Sequence, residues 1–429
     1  MLRKYQSDAV SKMQWALTLG GNNIVNLPVG SGKTHVISGF VEATQLPVLI
    51  LAPSKELILQ DKEKLEMVVD PSEVGVYSAS VGIKEVKKYT LATIGSIYKK
   101  PELFRHYKVV IIDECHLVAI DKKNTMYMKF LSKMGNPTVI GLTATMFRQA
   151  VTFERPGGWD GYKASYWDKK NLEAVTTTKM LTRFKSRFWH RVLCATSTHE
   201  LQMQGFLSHI KYTDLTLVRH EDIPTNKSAS DFDLDAYEEL IDGKEQTIVD
   251  HIIDFKDKHK KILVFCSSVA QAKRLSGVIS GSEYVDGTMG KKERDRVVNG
   301  FKKMGGTQVV FNVGVLTTGF DLPQLDCVVL IRPTKSLGLY NQMLGRLTRK
   351  AEGKTFGYVY DFSGTVASLG RMESIKAQKV GGLWDVVSET KPRGFHNVAL
   401  YKHTLGGGNG KRKKTKSYEF SSTSGQKLW

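Results

Sequence analysis

The stretch NNIVNLPVGSGKTHVISGFVEA (residues 22–43) decides how this chain folds. Its first six residues are a β-branched run, and HVISGFVEA at its end reads as a helix. Between them stands Pro28-Val29-Gly30-Ser31-Gly32-Lys33-Thr34. A strand, a glycine loop and a helix in that order build a cradle for phosphate. The glycines let backbone N–H groups turn inward around an anion, the lysine neutralises its oxygens, and the threonine hydroxyl can ligate Mg²⁺. The strict pattern asks for glycine at position 27, where this chain has Leu27, so the match is GxGKT. Gly30, Ser31, Gly32, Lys33 and Thr34 are the expected nucleotide-binding residues.

Runs that are apolar on both faces recur at PVLILA (47–52), KVVIID (108–113) and TVIGLTA (138–144). They return at KKILVFCSS (260–268), TQVVFNV (307–313), DCVVLIRP (326–333) and FGYVYDF (356–362). Strands of this kind belong to parallel sheets covered by helices. The rhythm predicts an α/β chain with one parallel-sheet domain over 1–149 and a second over 231–400. In the segment 150–230 the pattern lapses; it carries Trp159, Trp167 and Trp189 and ends in the polar linker IPTNKSASD (223–231). The tail 401–429 contains LGGGNGKRKKTK (405–416), a glycine hinge before Lys411, Arg412, Lys413, Lys414 and Lys416. It is expected to be disordered when free and to add non-specific DNA affinity.

A chain of 429 residues, 41% hydrophobic and 24% charged, has ordinary globular composition, which excludes a disordered, fibrous or disulfide-scaffold protein. Sixty-two Lys and Arg against 43 Asp and Glu leave a net charge of +19, and a surplus of that size points to a polyanionic partner. The cysteines Cys115, Cys194, Cys266 and Cys327 form no CxxC pair, so neither zinc nor a disulfide framework is expected. The polar start MLRKYQSDAV and the lack of any apolar run near 18 residues predict a soluble, cytoplasmic protein with no membrane partner.

KVVII (108–112) runs into Asp113-Glu114-Cys115-His116. A carboxylate at the carboxyl end of a neighbouring parallel strand can hold Mg²⁺, and the adjacent glutamate can activate the attacking water. Together with GSGKT this predicts an NTP-hydrolysing site, with Lys33, Asp113 and Glu114 catalytic and Thr34 and Asp113 on the metal.

The motifs, in order over residues 3–349, resemble the superfamily 2 helicases of the DExH branch. The resemblance implies two RecA-like domains in tandem, ATP and Mg²⁺ as cofactors, and 3′→5′ movement on nucleic acid. Arg3, Tyr5 and Gln6 look like the adenine-reading segment, since a glutamine amide can pair with adenine N6 and N7. Thr143-Ala144-Thr145 looks like motif III. Pro53, Ser54 and Lys55, with Thr93, Gly95 and Ser96, resemble the strand-contacting motifs Ia and Ib, and Ser267 resembles motif IV. Thr317-Thr318-Gly319-Phe320-Asp321 matches motif V, placing Thr317 and Thr318 on nucleic acid and Gly319 and Asp321 on the nucleotide. QMLGRLTR (342–349) matches motif VI, with Arg346 and Arg349 as catalytic arginines on one helix face reaching across the cleft.

Within the superfamily, the segments 312–323 and 331–346 look most like RadD-type repair helicases, and the compact size resembles UvsW-like phage branch-migration helicases. One departure is TATMFR, with Met146, where such chains often read TATPFR. KMLTRFKSRFWHR (179–191) interleaves five Lys or Arg with Phe184, Phe188 and Trp189. If helical, it shows Phe184 and Phe188 on one face, and Phe188 and Trp189 could stack on bases. The expected partner is forked or junction DNA, bound by a monomer in a bacterial or phage-infected cell. RNA unwinding and the motor of a restriction-type complex are the alternatives.

Overall fold

The computed structural model describes residues 2–120, 122, 124–154, 173–184, 186–316, 322–392 and 394–395, with the side chains of 150–154 and 173–177 left aside. The strands of the first domain are β1 (Asn22–Asn26), β2 (Val48–Leu51), β3 (Val74–Ser78), β4 (Ile83–Lys84), β5 (Tyr89–Ala92), β6 (Val109–Ile112) and β7 (Thr138–Thr143). β8 (Phe147–Glu154) and β9 (Glu173–Met180) then form an antiparallel hairpin, and β10 (Arg191–Ala195) returns to pair with β1. The resulting order is β10-β1-β7-β6-β2-β5-β3-β4, parallel throughout except between β3 and β4.

The second sheet takes β11 (His209–Asp214), β12 (Ile262–Phe265), β13 (Ser282–Asp286), β14 (Val309–Val313), β15 (Cys327–Leu330) and β16 (Phe356–Asp361) in the order β11-β16-β15-β12-β14-β13. Every pairing in it is parallel. A second hairpin, β17 (Lys376–Val380) with β18 (Leu383–Val387), follows. The chain is therefore α/β with two tandem parallel-sheet domains, as the apolar runs predicted, and they are RecA-like, as the resemblance implied.

β2, β6, β12 and β15 are buried from end to end, because helices cover both faces of each sheet. The helices Lys4–Leu19, Lys33–Thr44 and Lys55–Leu65 cover one face of the first sheet through Met13, Phe40 and Ile58. The cluster on the opposite face, built on Phe104, Phe130 and Trp189, runs on without a break into Leu344 and Val386 of the second domain.

Two expectations are corrected. The segment 150–230 does not stand apart from the sheets: β10 lies at the edge of the first and β11 at the edge of the second. Edge strands keep polar residues where solvent reaches them. In β10 Arg191 is exposed, and in β11 so are His209, Lys211, Thr213 and Asp214, so neither shows a doubly apolar run. The second correction concerns 179–191, which is not a helix. Leu181–Arg183 is a single 3₁₀ turn and residues 187–190 are irregular. Trp189 is 2% exposed, its ring so close to Gly141 that a Cβ there would lie 2.5 Å away. It packs the core instead of offering a face to a base. Phe184 is also buried, beneath Lys179, and Phe188 is half-buried, edge-on to Trp189.

Candidate active site at the domain interface

The P-loop leaves β1 and turns through Gly30 (φ 81°) and Gly32 (φ 78°), left-handed angles that side-chain-bearing residues rarely adopt. Lys33 opens the helix Lys33–Thr44, so free N–H groups at that terminus face the loop. β6 lies two strands from β1 and ends at Asp113 and Glu114. Glu114 itself is left-handed (φ 49°), a strain typical of residues held for function.

Lys33 Nζ lies 3.4 Å from Glu114 Oε1. On the other carboxylate oxygen, Glu114 Oε2, His116 Nδ1 stands at 3.3 Å, and the same nitrogen is 2.9 Å from Thr143 Oγ1. Thr145 N donates to Thr143 Oγ1 at 2.9 Å. An unbroken line of polar contacts thus joins the P-loop to Thr143 and Thr145. Burial would raise the Glu114 carboxyl, but the Lys33 ammonium and the contact with the His116 ring outweigh it and hold the group at about 2. Asp113 is pushed well above the usual carboxylate range by burial and by the charges of Glu114 and Asp61. Among the described residues no three His, Cys, Asp or Glu side chains gather to hold a metal by themselves. The Asp113 carboxyl and the Thr34 hydroxyl are oxygen donors of the kind Mg²⁺ takes, an ion usually held by one or two carboxylates together with substrate phosphates.

Two residues here were not singled out in the sequence. Asp61, from the helix Lys55–Leu65, accepts a hydrogen bond from Thr34 Oγ1 at 2.8 Å, and burial raises its carboxyl to about 7. Nothing in KELILQDKEKL separates it from its solvated neighbours except its place on the helix's buried stripe, with Ile58 and Leu65. Phe206, from the crossing between domains, sits 5.3 Å from the Tyr5 ring and 4.9 Å beneath the Arg3 guanidinium. Tyr5 and Gln6 both donate to Ser31 O, Gln6 at 2.9 Å, while Gln6 Oε1 accepts from Arg3 N. The segment expected to read adenine therefore also braces the P-loop.

The second domain reaches the same loop. Its helix Leu337–Leu344 ends before the two arginines, which corrects the expectation that Arg346 and Arg349 share a helix face. Gly345 follows it, and a Cβ there would stand 2.3 Å from Val29 Cβ; only glycine lets the turn lie on the P-loop. Thr348 Oγ1 approaches Val29 O at 3.4 Å, and a Cβ on Gly30 would meet Arg349 Cγ at 3.3 Å. Arg346 is buried. The crossing segment 196–208 lies alongside: Thr196 N donates to Asn26 O, and Ser208 N donates to Thr348 O at 2.7 Å. On the far side of His116 a groove of about 370 Å³ is lined by Thr145, Arg148, Gln149, Ser336 and Gln342 from both domains.

The residues expected on nucleic acid lie at the carboxyl ends of neighbouring strands. Pro53, Ser54 and Lys55 follow β2, and Ser54 caps the helix after it. Thr93, Gly95 and Ser96 follow β5; Ser96 Oγ accepts from Ala79 N, and a Cβ on Gly95 would meet nothing within 4 Å. Ser267 follows β12 and is buried, its Oγ without a hydrogen-bond partner. Thr317, Thr318, Gly319 and Asp321 lie outside the described residues, as does the basic tail. The turn leading into 317 is held by Asn312 Oδ1, which accepts from Val315 N and Leu316 N.

Two family models match the sequence, "Type III restriction enzyme, res subunit" over residues 1–148 and "Helicase conserved C-terminal domain" over 243–351. Their junction is where the P-loop meets motif VI. The two matched domains resemble, in this order, the paired cores of superfamily 2 DExH-type helicases. The chain is 26% identical over 392 residues to the Saccharomyces cerevisiae protein named as an ATP-dependent helicase, IRC3, covering 85% of this chain and 52% of that one. It is 25% identical to the DNA 3'-5' translocase XPB2 of Sulfurisphaera tokodaii, covering 82% and 79% respectively. Among solved structures its fold is similar to a fragment of an HsdR subunit of a type I restriction enzyme from Vibrio vulnificus. That likeness has a TM-score of 0.60 at 19% identity and covers 86% of this chain and 65% of that one. The chain spans about half the length of its yeast relatives. Among its described residues no helix is long and apolar enough to cross a membrane.

Proposed function

We propose that the chain is an ATP-dependent DNA translocase that unwinds or branch-migrates forked and junction DNA. The observation that carries the reading is the packing of Gly345, Thr348 and Arg349 directly on Val29 and Gly30, which puts both halves of an ATP site in contact. Arg3, Tyr5, Gln6 and Phe206 surround the adenine end. Lys33 and the loop amides hold the phosphates, and Thr34 and Asp113 would hold Mg²⁺, which would supply charge neutralisation to them. Arg346 and Arg349 stabilise charge on the transferred phosphoryl group. Phosphate binding draws Lys33 away from Glu114, whose carboxylate then becomes a stronger base toward water. His116 relays the event to Thr143 and Thr145. The strand lies across the edges formed by Pro53–Lys55, Gly95, Ser96 and Ser267, and closing and opening of the cleft move it along.

The DNA reading is supported by the DNA translocase among the relatives and by the charge of +19. The restriction-type motor is the second reading, favoured by the match over residues 1–148. Steady-state ATP turnover, measured with single-stranded DNA, duplex, fork, four-way junction and single-stranded RNA at one salt concentration, tests both. Forked and junction DNA are expected to stimulate most. Strongest stimulation by linear duplex favours the restriction motor, and strongest stimulation by RNA overturns the DNA assignment.

A further inference from the structure

Asp61 is an odd residue to find under a P-loop. It is 2% exposed and its Oδ1 takes the proton of Thr34 Oγ1 at 2.8 Å. Its other oxygen, Oδ2, is buried with no hydrogen-bond partner. A buried carboxyl group whose second oxygen has no partner is costly. Anchoring a helix to a loop needs no such group, since serine or asparagine would do that at lower cost. The orphan oxygen marks a place for a donor or a cation.

A hydroxyl has one proton and two lone pairs. To ligate a cation, Thr34 must send its proton elsewhere and turn a lone pair toward the metal. The neighbouring strand-end carboxylate is not free to accept it with both oxygens, because Asp113 Oδ1 already takes Glu114 N at 2.9 Å. Asp61 accepts that proton from the side of the helix Lys55–Leu65.

We propose that Asp61 is the positioning residue of the magnesium site: it fixes the Thr34 hydroxyl with its oxygen facing the ion, and its Oδ2 accepts from water in the ion's shell. The proposal rests on the ATP-site reading above. Partners of this kind fix the orientation of metal ligands and raise their basicity, and losing one costs about 10- to 100-fold in metal affinity.

The test is binding of a fluorescent ADP analogue to the full chain in Mg²⁺ and in EDTA, with Mn²⁺ affinity of the ADP complex read by electron paramagnetic resonance. Asp61→Ala is expected to weaken Mn²⁺ by about 10- to 100-fold and to leave metal-free ADP affinity within about twofold of wild type. In a Thr34→Ala background the same change is expected to add less than about twofold, because the group it positions is gone. Asp61→Asn, which keeps an acceptor for Thr34 but not the charge, is expected at the lower end of that range and serves if Asp61→Ala does not fold. Mn²⁺ affinity within about twofold of wild type in both variants overturns the assignment. So does an equal loss of ADP affinity in EDTA, which would make Asp61 merely structural. A wild-type chain that binds no nucleotide overturns the ATP reading itself, and the proposal with it.

Discussion

Lys33 carries one ammonium for two claimants, the Glu114 carboxylate 3.4 Å away and the phosphates of an incoming nucleotide. While it rests on Glu114 it keeps that carboxylate charged and a poor base. Glu114→Gln removes the base and keeps the loop, so it is expected to lower turnover by about 10²-fold or more while still binding ATP; single-turnover hydrolysis and equilibrium binding measured together decide this. A different residue contributes to the acid response. His220 packs 4.5 Å from the Phe232 ring, and burial lowers its imidazole from 6.5 to about 4. Between those values the unfolded chain binds a proton at this site that the native chain refuses, so the contribution of His220 to stability falls as pH drops from 6.5 toward 4, by roughly 2–3 kcal/mol. The raised carboxyls of Asp61 and Asp113 act in the opposite sense, so the effect is read as a difference: in urea unfolding, the stability of the wild type relative to His220→Gln is expected to be lower at pH 5 than at pH 7.

At the scale of elements, the step from β9 to β10 turns on Trp189. Its ring fills the space over Gly141, so Trp189→Ala is expected to cost about 3–5 kcal/mol of stability and to leave the DNA affinity of the folded protein unchanged; denaturant unfolding and a binding titration separate the two effects. This tryptophan also shows where sequence reading gives out. An aromatic among basic residues has the same signature whether the ring meets a base or a core, and the distinction depends on a glycine 48 positions upstream in β7. The central strands β1, β2, β6 and β7, and β12, β14 and β15 in the second domain, were legible because helices bury both their faces, and β16 because its apolar and aromatic run survives although only alternate residues are fully buried. β3 and β5 are equally buried, but Gly75, Ser78 and Thr90 interrupt their apolar runs. β10 and β11 were hidden by the polar residues an edge permits. Motif spacing made the P-loop and the acidic strand end legible, but not Asp61, whose only mark is a place on a buried helical stripe.

Across the whole molecule, the two domains meet at Gly345, where one added methyl would collide with Val29. Gly345→Ala is expected to push the second domain off the P-loop. Overpacking of about 1–3 kcal/mol should lower nucleic-acid-stimulated turnover by roughly tenfold or more and spare ADP binding, which a turnover assay and an ADP titration check. The segment 196–208 crosses between the sheets at this same point, touching Asn26 and Thr348. In the closure proposed above this crossing is the pivot, it lies beside the P-loop, and the rest of the first sheet acts as a lever arm. From β1 to β5 is four strand spacings, about 19 Å. A swing of about 10° at the pivot carries the end of that arm about 3.4 Å, the rise of one nucleotide along a strand. Small angular play at the hinge is thus geared up to a full step at the track.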